Sequence, residues 1–359
     1  MSGLLQKAQD LASQDFDEIP VIDLRNATSK EYSERCAVAM QIQEACLTAG
    51  FFYIKNHGVS EEIVRETFQQ AEAFFATPLH VKKSVDMSKS TGFRGWSGLL
   101  TENNNPQNEG ELHEGYNLGL DMSIADSLPS LRTVRERMKK ASSDEPLEDL
   151  AHGDNLWPTD EVWSGAQEFK EGVLGYYYEM LELGKRIFPL LALALEIEED
   201  FFEDKTRYPV AIQRLLHYTP LKGERANEKQ PGIGEHTDWE CFTILRQDPI
   251  AGLQIKNIAG DWIDAPYIPG TFLINIGDQL ARWTNDVFRS TPHRVNPPLG
   301  HIARYSIPTF WSCDLEVPLV PIKSCVSDER PQKYEVITAG AYGKSIMDAI
   351  YMVGPGVEA

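Results

Sequence analysis

The chain has 359 residues, of which 42% are hydrophobic and 25% charged, and its formal net charge at pH 7 is −20. Its length and hydrophobic fraction indicate a globular protein with a sizeable buried core. The negative field repels phosphate backbones and anionic lipids, so we expect neither nucleic-acid nor membrane partners. The five cysteines are scattered and include no C-x-x-C pair, which favours reduced thiols and a cytoplasmic protein. We expect a monomer or a homodimer.

Helical patterns dominate the first two hundred residues. Residues 30–49 and 60–76 predict two helices, and a segment rich in Leu, Glu and Tyr predicts a longer one from about 166 to 202. Two aromatic or β-branched runs, residues 19–24 and 50–59, predict short strands in the same region. The N-terminal half is therefore expected to supply helices that pack around a β core formed mainly by the C-terminal half.

The pattern changes at about residue 210, where short β-type runs alternate with turn residues. They read AIQRLLHY, ECFTILRQ, GLQIKN, DWIDAP, TFLINIGD, STPHRV and ARYSIPTFW. Several short strands at close spacing predict a sandwich, barrel or jelly roll. Polar connections are expected at 101–110 and 139–165, and a last helix near 339–352.

Three residues of the β-type region form a candidate metal site. His236 and Asp238 stand two apart, so on an extended strand their side chains share a face, about 7 Å apart. His293 lies in a later run, and a two-layered β fold can bring that strand back beside the first. Two imidazoles and one carboxylate match the facial triad of non-haem ferrous oxygenases. Zinc hydrolases use similar ligand sets, so the triad alone leaves both chemistries open.

A second pair favours an anchored organic anion beside that metal. Arg304 and Ser306 also stand two apart on a predicted strand, and therefore share a face. An Arg fork offers two parallel donors to a carboxylate, and Ser adds a third hydrogen bond. Tyr218 ends another predicted strand and can supply a further hydroxyl donor.

Ordered sequence blocks extend this evidence over most of the chain. They are IPVIDL, GFFYIKNHGV, GFRGW, HEGYNLG, LLHYTP, HTDWECFTIL, GLQIK, NIGDQLARWTND, STPHRV and RYSIPTF. In content and order they resemble the iron(II)- and 2-oxoglutarate-dependent dioxygenases of the isopenicillin N synthase-like family. The chain departs from the Asn-Tyr-Tyr-Pro of plant members: Leu216 replaces the first polar residue, and one residue separates Tyr218 from the proline.

The resemblance implies an α+β fold with a mainly β core, a double-stranded β-helix (jelly roll, cupin-like) flanked by helices. Its expected parts are an N-terminal region, a connecting loop with the long helix, the β core and a C-terminal helix, forming one compact unit. These parts cover residues 1–135, 136–204, 205–325 and 326–359.

The resemblance also implies the chemistry. Fe(II) is expected on His236, Asp238 and His293, and 2-oxoglutarate on Arg304, Ser306 and Tyr218. The enzyme would use O2 to couple oxidative decarboxylation of 2-oxoglutarate to hydroxylation, desaturation or ring formation on a small-molecule metabolite, with ascorbate in support. Several blocks look closer to microbial members such as thymine hydroxylase than to plant hormone enzymes, so a secondary metabolite or small heterocycle is the expected substrate class.

The substrate pocket is the least specified part of this interpretation. Large side chains near the ligand-bearing blocks are its candidates, although each taken singly is more often a packing residue. They are Phe93, Arg94, Trp96, Tyr116, Trp239, Arg282 and Phe310. As a group they favour an apolar or planar substrate.

Three other functions use some of the same residues. An iron oxidase of isopenicillin N synthase type would use Arg304 and Ser306 for the substrate's own carboxylate, without 2-oxoglutarate. A zinc hydrolase would use the same three ligands and need no O2, but it leaves Arg304 and Ser306 without a role. A non-catalytic binding protein has no reason to retain the complete triad.

Overall fold

The structure is a computed structural model. It describes residues 3–90, 92–103, 109–121, 154–207, 210–221 and 230–351. Of the predicted polar connections, residues 104–108 of the first and 139–153 of the second lie outside the described residues.

Seven α-helices lie within the described ranges. They are α1 (Gly3–Asp10), α2 (Tyr32–Leu47), α3 (Glu61–Phe75), α4 (Leu79–Ser84), α5 (Ala166–Ala194), α6 (Asp278–Trp283) and α7 (Ala339–Tyr351). The predicted helices at 30–49 and 60–76 are confirmed, and so is the one near 339–352 over its described residues, which end at Tyr351. No helix in the described part of the chain is both long and apolar enough to cross a membrane.

The helix predictions also needed correction. The long helix α5 ends at Ala194, short of the predicted 202, and soon afterwards Glu196 takes a positive φ of 57° that no α-helix can continue through. The helices α1, α4 and α6 were not predicted. At α6 the sequence Gly277-Asp278 begins a helix, not the turn that its composition suggests.

Twelve strands lie within the described ranges. They are β1 (Val21–Asp23), β2 (Phe51–Lys55), β3 (Gly95–Ser97), β4 (His113–Leu118), β5 (Val210–Tyr218), β6 (Ile233–His236), β7 (Phe242–Gln247), β8 (Leu253–Lys256), β9 (Trp262–Asp264), β10 (Thr271–Ile276), β11 (His293–Val295) and β12 (Arg304–Ser312). Each β-type run after residue 210 coincides with a strand, so that part of the prediction is confirmed.

The strands form two sheets. The larger has the order β1-β2-β10-β7-β12-β5-β4-β3, and the smaller has the order β6-β11-β8-β9. Every pair is antiparallel except β1 with β2. Neighbours in the sheets are often distant in sequence, and this layout is the two-layered β core that the sequence predicts.

Strand β2 illustrates why the large sheet is buried on both faces. Phe51 and Tyr53 pack into the cluster shared with the small sheet, while Phe52 and Ile54 pack into the cluster shared with the helices. Successive side chains of a strand point to opposite faces, so a run of four apolar residues fits a strand covered on both sides. The small sheet and the helices therefore lie on opposite sides of the large one.

Helix α5 rests on the large sheet through a close contact with Trp311. The Trp311 indole N–H donates to the Met180 carbonyl at 3.2 Å, and a Cβ built on Gly184 would lie 2.2 Å from the indole ring. We therefore expect Gly184→Ala to lower the free energy of unfolding by about 1–3 kcal/mol through overpacking. Urea unfolding measures this effect.

Gly175 provides the matched control on the same helix. A Cβ there would meet nothing within 4 Å, and the position is exposed. Gly175→Ala should therefore raise the free energy of unfolding by about 0.5–1 kcal/mol, because it removes glycine's entropy cost in a helix. Equal effects of the two substitutions would contradict the proposed contact.

His57, in the turn after β2, is a buried neutral imidazole. It stands edge-on to Phe272, and its Nδ1 accepts from the Val59 N–H at 3.2 Å. Burial, with the charges of Arg246 and Arg186, lowers the His57 pKa to about 4. The unfolded imidazole takes up a proton near pH 6.5, so the contribution of His57 to stability is complete above that pH and is lost as the pH falls towards 4.

A pH series of thermal unfolding tests this assignment. We expect the Tm of the wild-type protein to fall more between pH 7 and pH 4.5 than that of His57→Asn. The exposed His80, substituted in the same way, serves as the control and should leave the wild-type slope unchanged. An unaltered slope in His57→Asn would contradict the neutral, buried imidazole.

Candidate functional site

Two neighbouring strands of the small sheet bring the predicted metal ligands together. His236 ends β6, His293 begins β11, and the two residues pair directly across the sheet. The Asp238 Oδ1 atom lies 3.6 Å from Nε2 of each histidine. One ligand atom from each of the three residues lies within 4.8 Å of the others. The three side chains therefore converge as a metal site requires.

Asp238 reaches this point by a route that differs from the one predicted. Strand β6 ends at His236, so the two side chains do not share a strand face, and Asp238 lies in the connection that follows. Its Oδ2 accepts hydrogen bonds from Thr243 Oγ1 at 2.5 Å and from Asn275 Nδ2 at 2.7 Å. These two donors hold Oδ2, which leaves Oδ1 facing the imidazoles.

Backbone carbonyls orient both imidazoles. Nδ1 of His236 lies 2.8 Å from the Gly234 carbonyl, and Nδ1 of His293 lies 3.1 Å from the Thr291 carbonyl. A carbonyl only accepts, so each Nδ1 carries a proton, and each Nε2, when it is deprotonated, can offer its lone pair to a metal beside Asp238. This is the tautomer that a metal-binding histidine needs.

The charges of the three ligands also suit a dication. Burial acts to raise the pKa of Asp238, but the neighbouring imidazoles and Thr243 outweigh it and hold the pKa well below its usual range. Burial and the proximity of His236 lower the His293 pKa to about 4. For His236, burial is outweighed by Asp238, which raises the pKa. His236 therefore binds a proton more readily than a free imidazole does, and a bound dication would replace that proton.

The predicted anion-binding residues meet at the end of two paired strands. Arg304 begins β12 and lies opposite Tyr218, the last residue of β5. The Arg304 guanidinium lies over the Tyr218 ring at 4.8 Å, and Ser306 Oγ lies 3.4 Å from the Tyr218 hydroxyl. Burial raises the pKa of Tyr218, so its hydroxyl keeps its proton and can donate.

The Arg304 guanidinium is fully buried and only partly satisfied. Its Nε donates to the Ile250 carbonyl at 3.2 Å and its Nη2 to Gln247 Oε1 at 3.0 Å. Nη1 has no hydrogen-bond partner among the described residues. A buried cationic donor without an acceptor is costly, so the position fits the carboxylate of a bound anion. Neither Ile250 nor Gln247 could be recognised from the sequence as a group that holds the guanidinium.

One cavity of about 440 Å³ joins the two sets of residues. The metal triad, Arg304, Ser306 and Tyr218 all contribute to its wall. Of the predicted pocket residues, Phe93, Trp239 and Phe310 line it as well. A cavity of this size suits a small organic molecule beside a second small ligand.

The other four predicted pocket residues lie elsewhere, which corrects the prediction. They are Arg94, Trp96, Tyr116 and Arg282. The first three are buried in the packing beneath the cavity wall, where the Trp96 indole N–H donates to Glu114 at 2.8 Å. Arg282 lines a separate pocket and stacks over the ring of Tyr334 at 4.7 Å. They were predicted because they lie in or next to the sequence blocks described above. None of the four lines the cavity.

A polar cluster on the cavity wall was missed by the sequence analysis. It consists of Glu102, Glu111 and His113, whose possible ligand atoms lie within 4.8 Å of one another. His113 Nδ1 donates to the Gly232 carbonyl at 2.8 Å, and Glu111 accepts from the Gly234 N–H at 2.9 Å. These two hydrogen bonds connect His113, the first residue of β4, and the nearby Glu111 to residues at the start of β6, the strand that ends at His236. No short motif marks such a cluster.

Comparisons with known proteins agree with this geometry. A family described as "non-haem dioxygenase in morphine synthesis N-terminal" matches residues 19–160, and the "2OG-Fe(II) oxygenase superfamily" matches residues 209–313. The "2-oxoglutarate-Fe(II) type oxidoreductase hxnY" of Emericella nidulans is 32% identical over 91% of this chain and 90% of its own. The oxidoreductase ppzC of Metarhizium rileyi is 31% identical over 89% and 84%.

Solved structures give the same result. A full-length Neurospora crassa protein crystallised in complex with alpha-KG (2-oxoglutarate) and thymine aligns with a TM-score of 0.77 and 27% identity, covering 94% of this chain and 97% of its own. A putative 2OG-Fe(II) oxygenase of Caulobacter crescentus aligns with a TM-score of 0.74 and 25% identity, covering 93% and 100%. The fold is thus that of the jelly-roll oxygenases.

This chain belongs to the 2-oxoglutarate-Fe(II) oxygenase superfamily, in its isopenicillin N synthase-like branch. It is a non-haem dioxygenase that uses Fe(II), 2-oxoglutarate and O2. Relatives named for 2-oxoglutarate, and related structures that contain it, favour this reaction over an oxidase that needs no keto acid.

Proposed function

We propose that His236, Asp238 and His293 hold the Fe(II) of this oxygenase, and that Arg304 binds the far carboxylate of 2-oxoglutarate with Ser306 and Tyr218. The observation that carries the proposal is the unpartnered, buried Nη1 of Arg304 in the cavity that also contains the triad. When bound, the iron and the keto acid supply the O2-dependent oxidation of a substrate C–H bond.

The remaining side chains act by positioning. Thr243 and Asn275 fix the Asp238 carboxylate through Oδ2, and the Gly234 and Thr291 carbonyls fix the two imidazoles through Nδ1–H. Each group is thereby held in one orientation before any ligand arrives, so little reorganisation is needed on binding.

We propose a small-molecule metabolite as the substrate. The cavity of about 440 Å³ has room for one beside 2-oxoglutarate, and aromatic side chains line part of it. A related protein crystallised with thymine supports the same size class. The oxidation of this substrate is a hydroxylation, a desaturation or a ring formation, and the placement of the substrate in the cavity selects among them.

Release of labelled CO2 and succinate from 2-oxoglutarate, followed with and without Fe(II) and O2, tests the proposal. We expect release that requires both and is lost when His293 is replaced by Ala. An oxidation that proceeds without consuming 2-oxoglutarate would instead support an oxidase of the isopenicillin N synthase type. Activity that needs no O2 would support a hydrolase.

We also propose a cytoplasmic enzyme. All five cysteines are described, and each is a free thiol, which suits the reducing compartment that a ferrous enzyme needs. Three expectations stay predictions. They are the oligomeric state (monomer or homodimer), the division of the chain into parts at residues 135, 204 and 325, and the support of activity by ascorbate.

A further inference from the structure

Strand β7 ends in a buried amide, Gln247, that lies beside Arg304. Gln247 pairs in register with Ser306 of β12 and is 6% exposed. Its Oε1 accepts from Arg304 Nη2 at 3.0 Å, and its Nε2 donates to the Ala265 carbonyl at 3.0 Å. Arg304 offers only donors and the carbonyl only accepts, so the amide fits in one orientation. Gln247 does not line the cavity, so it can affect a bound anion only through Arg304.

A second group holds another edge of the Arg304 guanidinium. Nε donates to the Ile250 carbonyl at 3.2 Å. The Asp248 carboxylate accepts from the Ile250 N–H at 2.9 Å and from the Tyr305 N–H at 2.6 Å. Asp248 therefore connects the turn that carries this carbonyl to the residue next to Arg304. A guanidinium is a rigid planar fork, so two held edges fix the direction of the third.

The third edge is the one left for the cavity. Nη1 of Arg304 has no hydrogen-bond partner among the described residues, and the guanidinium lies over the Tyr218 ring at 4.8 Å. A Cβ built on Gly252 would lie 3.2 Å from Arg304 Cδ, so the stem of the side chain is also closely packed. Confining the side chain before a ligand arrives reduces the entropy that binding costs.

The charge of the holding groups matters as much as their position. Both acceptors in contact with the guanidinium, an amide oxygen and a backbone carbonyl, are uncharged. A glutamate in place of Gln247 would offer an acceptor of the same shape but would pair with the cation. We propose that Gln247 is a positioning residue for the cosubstrate, which orients Arg304 and leaves its positive charge for the far carboxylate of 2-oxoglutarate. This inference rests on the function proposed above.

Two variants separate position from charge. Gln247→Leu removes the acceptor and adds no charge, whereas Gln247→Glu keeps the acceptor and adds a negative charge. Both lose the donor to the Ala265 carbonyl, so the difference between them reports the charge. Each variant is loaded with Fe(II) and titrated calorimetrically with 2-oxoglutarate in the absence of O2.

The two substitutions should weaken 2-oxoglutarate binding to different extents. In Gln247→Leu we expect the Kd to rise about threefold to tenfold, because binding must now order a freed long side chain. In Gln247→Glu we expect a rise of at least about thirtyfold, because 2-oxoglutarate must compete with a buried carboxylate for Arg304. An unchanged or lower Kd in either variant would overturn the inference.

The Kd for Fe(II) distinguishes positioning from a general structural role. The side-chain hydrogen bonds of Gln247 go to Arg304 and Ala265, so we expect both variants to bind Fe(II) within about twofold of the wild-type protein. A loss of Fe(II) affinity that matches the loss of 2-oxoglutarate affinity would overturn the inference, because it would mean that the substitutions disturb the whole site.

Gln254 provides the matched control. Its Oε1 accepts from Arg294 Nε at 3.0 Å and from Arg294 Nη2 at 2.8 Å, and neither residue lines the cavity. The variants Gln254→Leu and Gln254→Glu should therefore leave the Kd for 2-oxoglutarate unchanged.

The wild-type protein and Arg304→Gln separate this inference from the proposed function. If 2-oxoglutarate does not bind the wild-type protein, or binds Arg304→Gln equally well, the proposed function is wrong. If both behave as expected but the Gln247 variants bind as the wild-type protein does, only the role of Gln247 is wrong. Glu has the shape of Gln, so Gln247→Glu decides the proposal if Gln247→Leu does not fold.

Discussion

Asp238→Asn is expected to abolish 2-oxoglutarate turnover by removing the metal. Asp238 is the anionic member of the triad, and its Oδ1 lies 3.6 Å from both Nε2 atoms. An amide at this position loses the charge that balances the dication and must also accommodate the two donors that now bind Oδ2. We expect Fe(II) binding to weaken by more than the ~10–100-fold that loss of an outer-sphere partner costs.

Metal content after equilibrium dialysis measures this effect independently of activity. A far-ultraviolet circular dichroism spectrum confirms that the variant is folded. Asp160→Asn, at an exposed carboxylate in the turn before α5, is the control and should bind iron as the wild-type protein does. Full iron content in Asp238→Asn would mean that the metal lies elsewhere.

Arg304→Gln is expected to impair the binding of 2-oxoglutarate while leaving the metal in place. Removing one partner of a buried, hydrogen-bonded charge pair costs about 2–5 kcal/mol, which corresponds to a rise in Kd of roughly thirtyfold or more. Gln247 Oε1 and the Ile250 carbonyl would also lose their donor. Calorimetric titration of the Fe(II)-loaded variant with 2-oxoglutarate gives the Kd directly.

Arg294→Gln is the matched control for Arg304→Gln. Arg294 follows His293 on β11, donates to Gln254 and stacks over Trp262 at 4.0 Å. It does not line the cavity, so its substitution should leave the Kd for 2-oxoglutarate unchanged. If both variants bound 2-oxoglutarate equally well, the guanidinium of Arg304 would not be the anchor.

The sequence predicted the ligands better than it predicted how they meet. The short motifs around His236 and His293 stand out because imidazole and carboxylate are the ligands that such metals need. Their pairing across β6 and β11 depends on a register that joins residues far apart in the chain. Asp238 lies beyond the end of its strand, where Thr243 and Asn275 hold its carboxylate. Local periodicity cannot predict such contacts between residues distant in sequence.

For the pocket as well, the residue types were predicted from local sequence, but the directions of the side chains were not. Phe93, Arg94 and Trp96 occur within one short block, yet only Phe93 lines the cavity. Phe93 has a positive φ of 56° and Gly95 one of 103°, so the backbone turns here and simple strand alternation does not apply. The faces of these side chains are set by the fold, and only their residue types could be read in advance.

Glu102, Glu111 and His113 were missed for a related reason. They lie in and beside a polar stretch that resembles an ordinary surface loop, but Glu111 and His113 are buried against the start of β6. Buried polar groups of this kind are recognised by their partners, and those partners lie more than a hundred residues away.

An anaerobic crystal structure of the protein with Fe(II) and 2-oxoglutarate would show whether the triad holds the iron and Arg304 holds the keto acid. Anomalous diffraction at the iron edge should place one ion among His236, Asp238 and His293, with the far carboxylate of 2-oxoglutarate on Nη1 of Arg304. The described residues contain one rival group of possible ligands, formed by Glu102, Glu111 and His113. Iron bound there, or a 2-oxoglutarate carboxylate paired with Arg214 instead of Arg304, would show that both ligand assignments need revision.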